Sequence, residues 1–244
     1  MADERSSERE LASGTLADAS ARLVRTVDGF HGDDWAAPSL LPGWQRAHVV
    51  AHLALNAEGM ARALRGLVGD SDSDPPRTMY DSDDQRARDI AELAVRKASE
   101  IRAHLLGAVT ILGEAIGAVP DDLWETRVER TPGGRTMRAG AFPGMRWREL
   151  EIHHVDLDAG YTRAAWSLAF AEHLLDAMTK RLRPEHAFQV TPLDSQRTWV
   201  LGDSESQVPV VTGPATDLAW WLTGRPAPDT LSSSRGELPT IEGW

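Results

Sequence analysis

Apolar positions along the first half of the chain recur at helical spacing. Leu16, Leu23, Val27 and Phe30 follow at intervals of seven, four and three, which predicts a helix over about residues 8 to 30 with one apolar face. After a Pro42-Gly43 turn, Val49, Leu53, Met60, Leu64 and Leu67 repeat the period, predicting a second helix from about Gln45 that carries His52. The polar, proline-containing stretch from Gly69 to Thr78 reads as a loop, because proline cannot sit in a helix interior. Ser82 or Asp83 then offers an N-cap. Ile90, Leu93, Ile101, Leu105, Leu112 and Ile116 carry the helical period as far as Val119-Pro120, as one long helix or two in succession.

From Arg127 to Phe142 the period fades around Pro132-Gly133-Gly134, which predicts an excursion or short hairpin. Helix resumes over 144 to 159. Four amphipathic helices joined by loops predict a bundle, with ligands projecting inward from facing helices. Beyond Gly160 the pattern changes. A helix near 165 to 182 ends at Arg183-Pro184, three short alternating runs follow (Ala187 to Thr191, Arg197 to Leu201, Val208 to Val211), and a last helix near 214 to 223 ends at Gly224. Ser232-Ser233-Ser234 reads as a polar loop. The expected fold is therefore α+β and multidomain, a helical bundle over residues 1–162 followed by a small α+β domain over 163–244.

Composition narrows the chemistry. With 37 acidic against 26 basic residues, a formal charge of -11 and no basic run, the chain lacks the electrostatic footprint of a nucleic-acid or anionic-membrane binder. No stretch approaches a transmembrane span, and Met1 to Glu8 lacks the apolar core of a signal peptide, so a cytoplasmic protein is expected. The pattern fixes no oligomeric state. Cysteine is absent, which removes disulfides, thiolate ligands and a protein thiol nucleophile. Any thiol chemistry has to use a thiol from outside.

Several histidines sit near carboxylates at ligand spacing. Glu149 and His153 are four apart and share a helix face, and with His52 they make two imidazoles and a carboxylate, a set that leaves a catalytic zinc one open position. Glu100 and His104 have the same spacing. His48 and His52 form a pair without the glutamate of a zinc-protease motif. Glu151 and His154 give one Glu-x-x-His, where a di-iron site needs two and two more glutamates. No dinucleotide or phosphate-binding glycine loop and no Gly-x-Ser-x-Gly elbow is present. Spacing alone leaves the choice among these ligands open.

Three segments carry a resemblance: Pro42 to His52, Met145 to Leu157, and Ser232 to Pro239, joined by Met79 to Arg86. They resemble the mycothiol-dependent maleylpyruvate isomerases. The resemblance implies a DinB-like four-helix bundle with a small C-terminal domain, zinc bound by His52, Glu149 and His153, and mycothiol as the thiol. It matches the family's functional arginine to Arg225, as the catalytic clamp on a substrate carboxylate at the domain junction, where the residues alone favour a surface arginine near a helix C-terminus. Arg86 is a second candidate for an anionic contact, or else a surface ion-pairing group. Asp156 is a candidate to orient a metal-site histidine, or else a helix-surface charge. His154 stands where a small residue is expected, and a hydrogen bond to the metal site or a neutral role are both open to it. The implied reaction adds a zinc-held thiolate to the cis double bond of maleylpyruvate, rotates about the resulting single bond and expels the thiolate to give fumarylpyruvate. The alternatives are a zinc-dependent mycothiol S-transferase on the same scaffold and a non-catalytic binding protein.

Overall fold

In a computed structural model of the chain, the structure describes residues 14–69, 77–203 and 208–241. They fall into two compact units, divided between Tyr161 and Thr162.

The first unit is built on five helices. Helix α1 (Leu16–Asp28) buries Leu16, Ala19, Leu23 and Val27 along one stripe, and its expected start before residue 14 lies outside the described residues. Phe30, expected to continue that stripe, falls beyond the helix. The backbone turns at Gly29, and the ring packs edge-on against Trp35 with centroids 5.5 Å apart. Helix α2 (Arg46–Val68) is buried on several sides, Val49 through Ala54 in succession. Helices α3 (Asp83–Ala94) and α4 (Ala98–Ala118) resolve the long periodic stretch as two helices. Ser82 caps α3 by accepting from the Gln85 backbone N–H, satisfying a donor the helix start leaves open. Helix α5 (Phe142–Asp156) starts two residues earlier than expected, because Pro143 fits the first turn, where its missing N–H costs nothing.

Contacts close the bundle into a ring: α1 packs on α5, α5 on α2, α2 on α4, and α4 on α1, while α3 lies against α2. The ring therefore skips the shorter half of the long apolar run. By length and composition α4 could cross a membrane, which corrects the expectation that no segment approaches that length. In the fold, its Ile101, Leu105, Ala108, Leu112 and Ala115 are buried.

The stretch from Arg127 is a hairpin, as its Pro-Gly-Gly turn predicts. Strand β1 (Arg127–Glu129) pairs antiparallel with β2 (Thr136–Arg138), Val128 opposite Met137. Residues 77–80 run alongside β1, with Met79 and Tyr80 N–H donating to the Glu129 and Arg130 carbonyls. That pairing seats Tyr80 on α2 at Gly59, where a Cβ would meet the Tyr80 ring at 2.9 Å and the Met79 carbonyl oxygen at 3.0 Å. A side chain there would push the Tyr80 ring and the Met79 carbonyl away, so glycine suits this close approach.

The second unit starts with α6 (Leu168–Arg181), capped by Ser167. A four-stranded mixed sheet follows in the order β4-β3-β5-β6: β3 (Phe188–Pro192), β4 (Trp199–Leu201), β5 (Val210–Gly213) and β6 (Ser232–Ser233). Strand β3 runs parallel to β5 and antiparallel to β4, and buries Phe188, Val190 and Pro192 in strict alternation. Strand β6 corrects the reading of Ser232-Ser233-Ser234 as a loop. Thr212 and Ser232 are cross-strand partners with hydroxyls 2.9 Å apart, and two residues carry too little pattern to announce a strand. Helix α7 (Ala215–Leu222) ends where expected, with Gly224 at φ +78° closing it. Phe188 meets Trp221 at 5.6 Å in this unit's core.

Candidate metal centre

Helix α5 contributes two of the three donors. Its i, i+4 geometry stacks Glu149 and His153, with Glu149 Oε2 3.4 Å from His153 Nε2. Helix α2 brings His52, whose Nε2 stands 2.9 Å from the same carboxylate oxygen. Ligand atoms of all three lie within 4.8 Å of one another, and among the described residues this is the one group of three or more such side chains. His52 is 3% and His153 8% exposed, so the centre lies in the bundle interior. The two imidazoles meet edge to face, centroids 4.6 Å apart, and Trp44 packs on His52 at 5.8 Å.

Partners outside the triad fix the rings. His153 Nδ1 lies 2.8 Å from Oδ2 of the fully buried Asp156. A carboxylate only accepts, so Nδ1 carries a hydrogen and Nε2 is the ring nitrogen turned to the shared centre. Asp156, left open by sequence between an orienting role and a surface charge, has the orienting geometry. Arg86, on α3, places Nη2 2.9 Å from His52 Nδ1, with its guanidinium 5.6 Å from the Tyr80 ring centroid. A guanidinium only donates, so His52 Nδ1 accepts here and Nε2–H donates to Glu149.

The electrostatics follow from burial and these bonds. Burial pushes the His52 imidazole down to about 4, outweighing its hydrogen bond to Glu149. Burial would raise Glu149, but hydrogen bonds from His153 and His52, with their charges, hold it well below the usual carboxylate range. His153 moves the other way from His52. Burial lowers it, yet its bonds to Asp156 and Glu149 more than offset that, and it ends above the ordinary histidine value. At neutral pH the centre therefore offers an anionic carboxylate and a neutral His52.

The competing candidates have other work. His48 Nδ1 accepts from the Gln45 N–H and caps the start of α2. His104 faces Glu58 at 2.8 Å on α2, not its sequence partner Glu100. Glu151 and His154 point to α1: Glu151 accepts from Arg22 at 2.5 Å and from Tyr161, while His154 stacks on Tyr161 at 3.8 Å and meets Thr26 Oγ1 at 2.7 Å. His154 is thus turned away from the metal centre.

Arg225 belongs to the second unit, just beyond α7. Its guanidinium lies over Trp220, 5.3 Å from the ring centroid, and Nη1 donates to the Thr223 carbonyl at 3.4 Å. Sequence reasoning missed Arg146. It is 1% exposed, and its Nη1 donates to the Leu53 carbonyl at 2.8 Å and Asn56 Oδ1 at 2.9 Å. Its one signal was position, three residues before Glu149 and so on the same face of α5.

Comparison with known proteins agrees with this architecture. No curated protein matches the chain significantly in sequence. Among solved structures, the crystal structure of a mycothiol-dependent maleylpyruvate isomerase is 26% identical with a TM-score of 0.82, covering 97% of each chain. That of a histidine-to-alanine mutant of a mycothiol-dependent maleylpyruvate isomerase is 25% identical, with the same TM-score and coverage. Residues 16–158 match the family model described as the mycothiol maleylpyruvate isomerase N-terminal domain, and residues 165–243 match the MDMPI C-terminal domain. With family models matched in both units, the chain belongs to the mycothiol maleylpyruvate isomerase family.

Proposed function

We propose that the chain converts maleylpyruvate to fumarylpyruvate with mycothiol as the thiol, at a zinc ion held by His52, Glu149 and His153. The observation that carries this reading is the convergence of those donors in the interior of a bundle that belongs to this family. The residues fit the ion: two imidazoles and a carboxylate form a three-ligand set that zinc accepts, and Asp156 sets the tautomer of His153 as ligand histidines require. Zinc so held supplies an open fourth position at which a thiol, with a free pKa of about 8.5, is deprotonated at neutral pH.

The reaction needs a nucleophile that turns the double bond single and then leaves. No side chain offers a thiol, since cysteine is absent. The protein's own part is to hold, orient and exclude water. Glu149 offers its negative charge to the centre, and the burial of His52 and His153 keeps solvent from it. For Arg225 the proposed role is a clamp on a substrate carboxylate, stabilising the enolate-like charge of the reaction. Support for that role is the family resemblance together with the indole of Trp220, which holds the guanidinium by its ring face.

The test follows maleylpyruvate loss with and without mycothiol and zinc, with product analysis. Fumarylpyruvate formed with no net consumption of mycothiol is the expected result. A product retaining the thiol makes the chain an S-transferase, and no turnover with any electrophile while zinc is bound removes the enzymatic reading.

A further inference from the structure

His52 and His153 reach the same carboxylate oxygen through Nε2, but their outer nitrogens meet opposite chemistry. His153 Nδ1 faces a carboxylate, Asp156 Oδ2 at 2.8 Å, whereas His52 Nδ1 faces a guanidinium, Arg86 Nη2 at 2.9 Å. A neutral imidazole carries one hydrogen. When Nε2 ligates a metal, that hydrogen sits on Nδ1 and needs an acceptor, usually a carboxylate, a backbone carbonyl or water. Arg86 has five N–H donors and no acceptor. The bond it makes to His52 is therefore compatible only with the tautomer whose Nε2 is blocked by hydrogen.

Resting on the metal site proposed above, we infer that Arg86 and a metal ion compete for His52: ligation through Nε2 displaces the Arg86 guanidinium, which is thereby freed to pair with a substrate carboxylate. The guanidinium is the part that moves. The His52 ring is buried and packs against both Trp44 and His153, while Arg86 is half-buried and borders a cavity of about 210 Å³ between α2 and α3 that is also lined by Tyr80, Glu58 and Asp89. Arg86 so acts as a positioning residue in metal binding. A carboxylate with two acceptor oxygens then matches the released fork.

Zinc affinity of the full chain, measured by competition with a chromophoric chelator, tests the first half. Arg86→Met removes the competing donor, so it should bind zinc about tenfold more tightly than wild type, the equivalent of one hydrogen bond. Arg86→Gln, whose amide oxygen accepts from Nδ1–H, should tighten it at least as much, and Arg86→Lys should stay near wild type. A disrupted fold cannot raise metal affinity, so the sign separates this role from a structural one. Zinc bound equally or more weakly by Arg86→Met overturns the competition, whereas no zinc binding by wild type overturns the metal site itself. Maleate titrations test the second half. Zinc-loaded wild type should bind maleate about tenfold more tightly than zinc-loaded Arg86→Met, and without zinc the two should bind alike. A difference that persists without zinc overturns the release.

Discussion

Asp156→Asn isolates what the outer partner of His153 contributes. The substitution keeps the volume of a fully buried side chain and an acceptor oxygen near Nδ1, and it removes the charge. A hydrogen bond to a charged group contributes about 1.5–3 kcal/mol and a neutral one about 0.5–1.5. The difference, about 1 to 1.5 kcal/mol, is a loss of zinc affinity of roughly five- to twelvefold, at the low end of what such outer partners typically contribute. The pH dependence adds a second signature. Asp156 is one of the groups that raise the His153 pKa above the ordinary value, so the variant also holds less tightly the proton that competes with the metal. The loss should therefore be full at pH 8, where that proton matters least, and smaller at pH 6. Chelator competition at both pH values reads it directly. Zinc affinity within twofold of wild type at pH 8, or a deficit that grows as pH falls, would refute the reasoning.

His52→Ala and His153→Ala should each abolish zinc retention and isomerisation together, read by metal analysis after desalting and by the maleylpyruvate assay, and full activity in a zinc-free variant would sink the mechanism. Arg225→Met should keep zinc and lose turnover by about tenfold or more, as expected for a lost carboxylate clamp; loss of the metal instead would show that its role is misassigned. His154 is 2% exposed, and burial with the nearby Arg22 charge lowers it from 6.5 to about 4. Between those values the unfolded chain binds the additional proton, so stability is lost as pH falls through this window, by about 3 kcal/mol at pH 4. Urea unfolding of wild type and His154→Gln at pH 7 and pH 4 should show their stability difference shifting against wild type by about that amount, and a pH-independent difference would refute it.

The bundle was legible because its helices advertise themselves: Val49, Leu53, Met60 and Leu64 on α2 and Ile101, Leu105 and Leu112 on α4 are the residues the structure buries. The break at 95–97 was not. Val95 is 79% exposed, and neither glycine nor proline marks the end of α3. The Glu149/His153 spacing was visible, but periodicity assigns Glu100/His104 an identical pattern. What separates them is which helix lies opposite, a tertiary fact: α2 brings His52 to one pair and Glu58 to the other. Arg86 could not be placed from sequence at all. Its contact with His52 depends on how α3 lies against α2, and Tyr80, whose ring it overlies, is seated through Gly59 and the hairpin.

The candidate metal centre also depends on a bond that touches none of its three donors. His52 and the Glu149/His153 pair come from different helices, so their convergence is only as well defined as the spacing of α2 and α5 next to them. Arg146 ties that spacing down. It sits one turn before Glu149 and donates to the carbonyl of Leu53, the residue after His52, and to Asn56 one turn further. Burial lowers its pKa to about 10, and the Glu149 charge works against that fall, so it remains a cation at neutral pH. A buried charge costs more than its hydrogen bonds return unless a counter-charge lies near. Glu149 is that counter-charge, and it is also the carboxylate both histidines share. The same anion that would hold the metal thus stabilises the cation that aligns the helices, which couples the shape of the site to its charge.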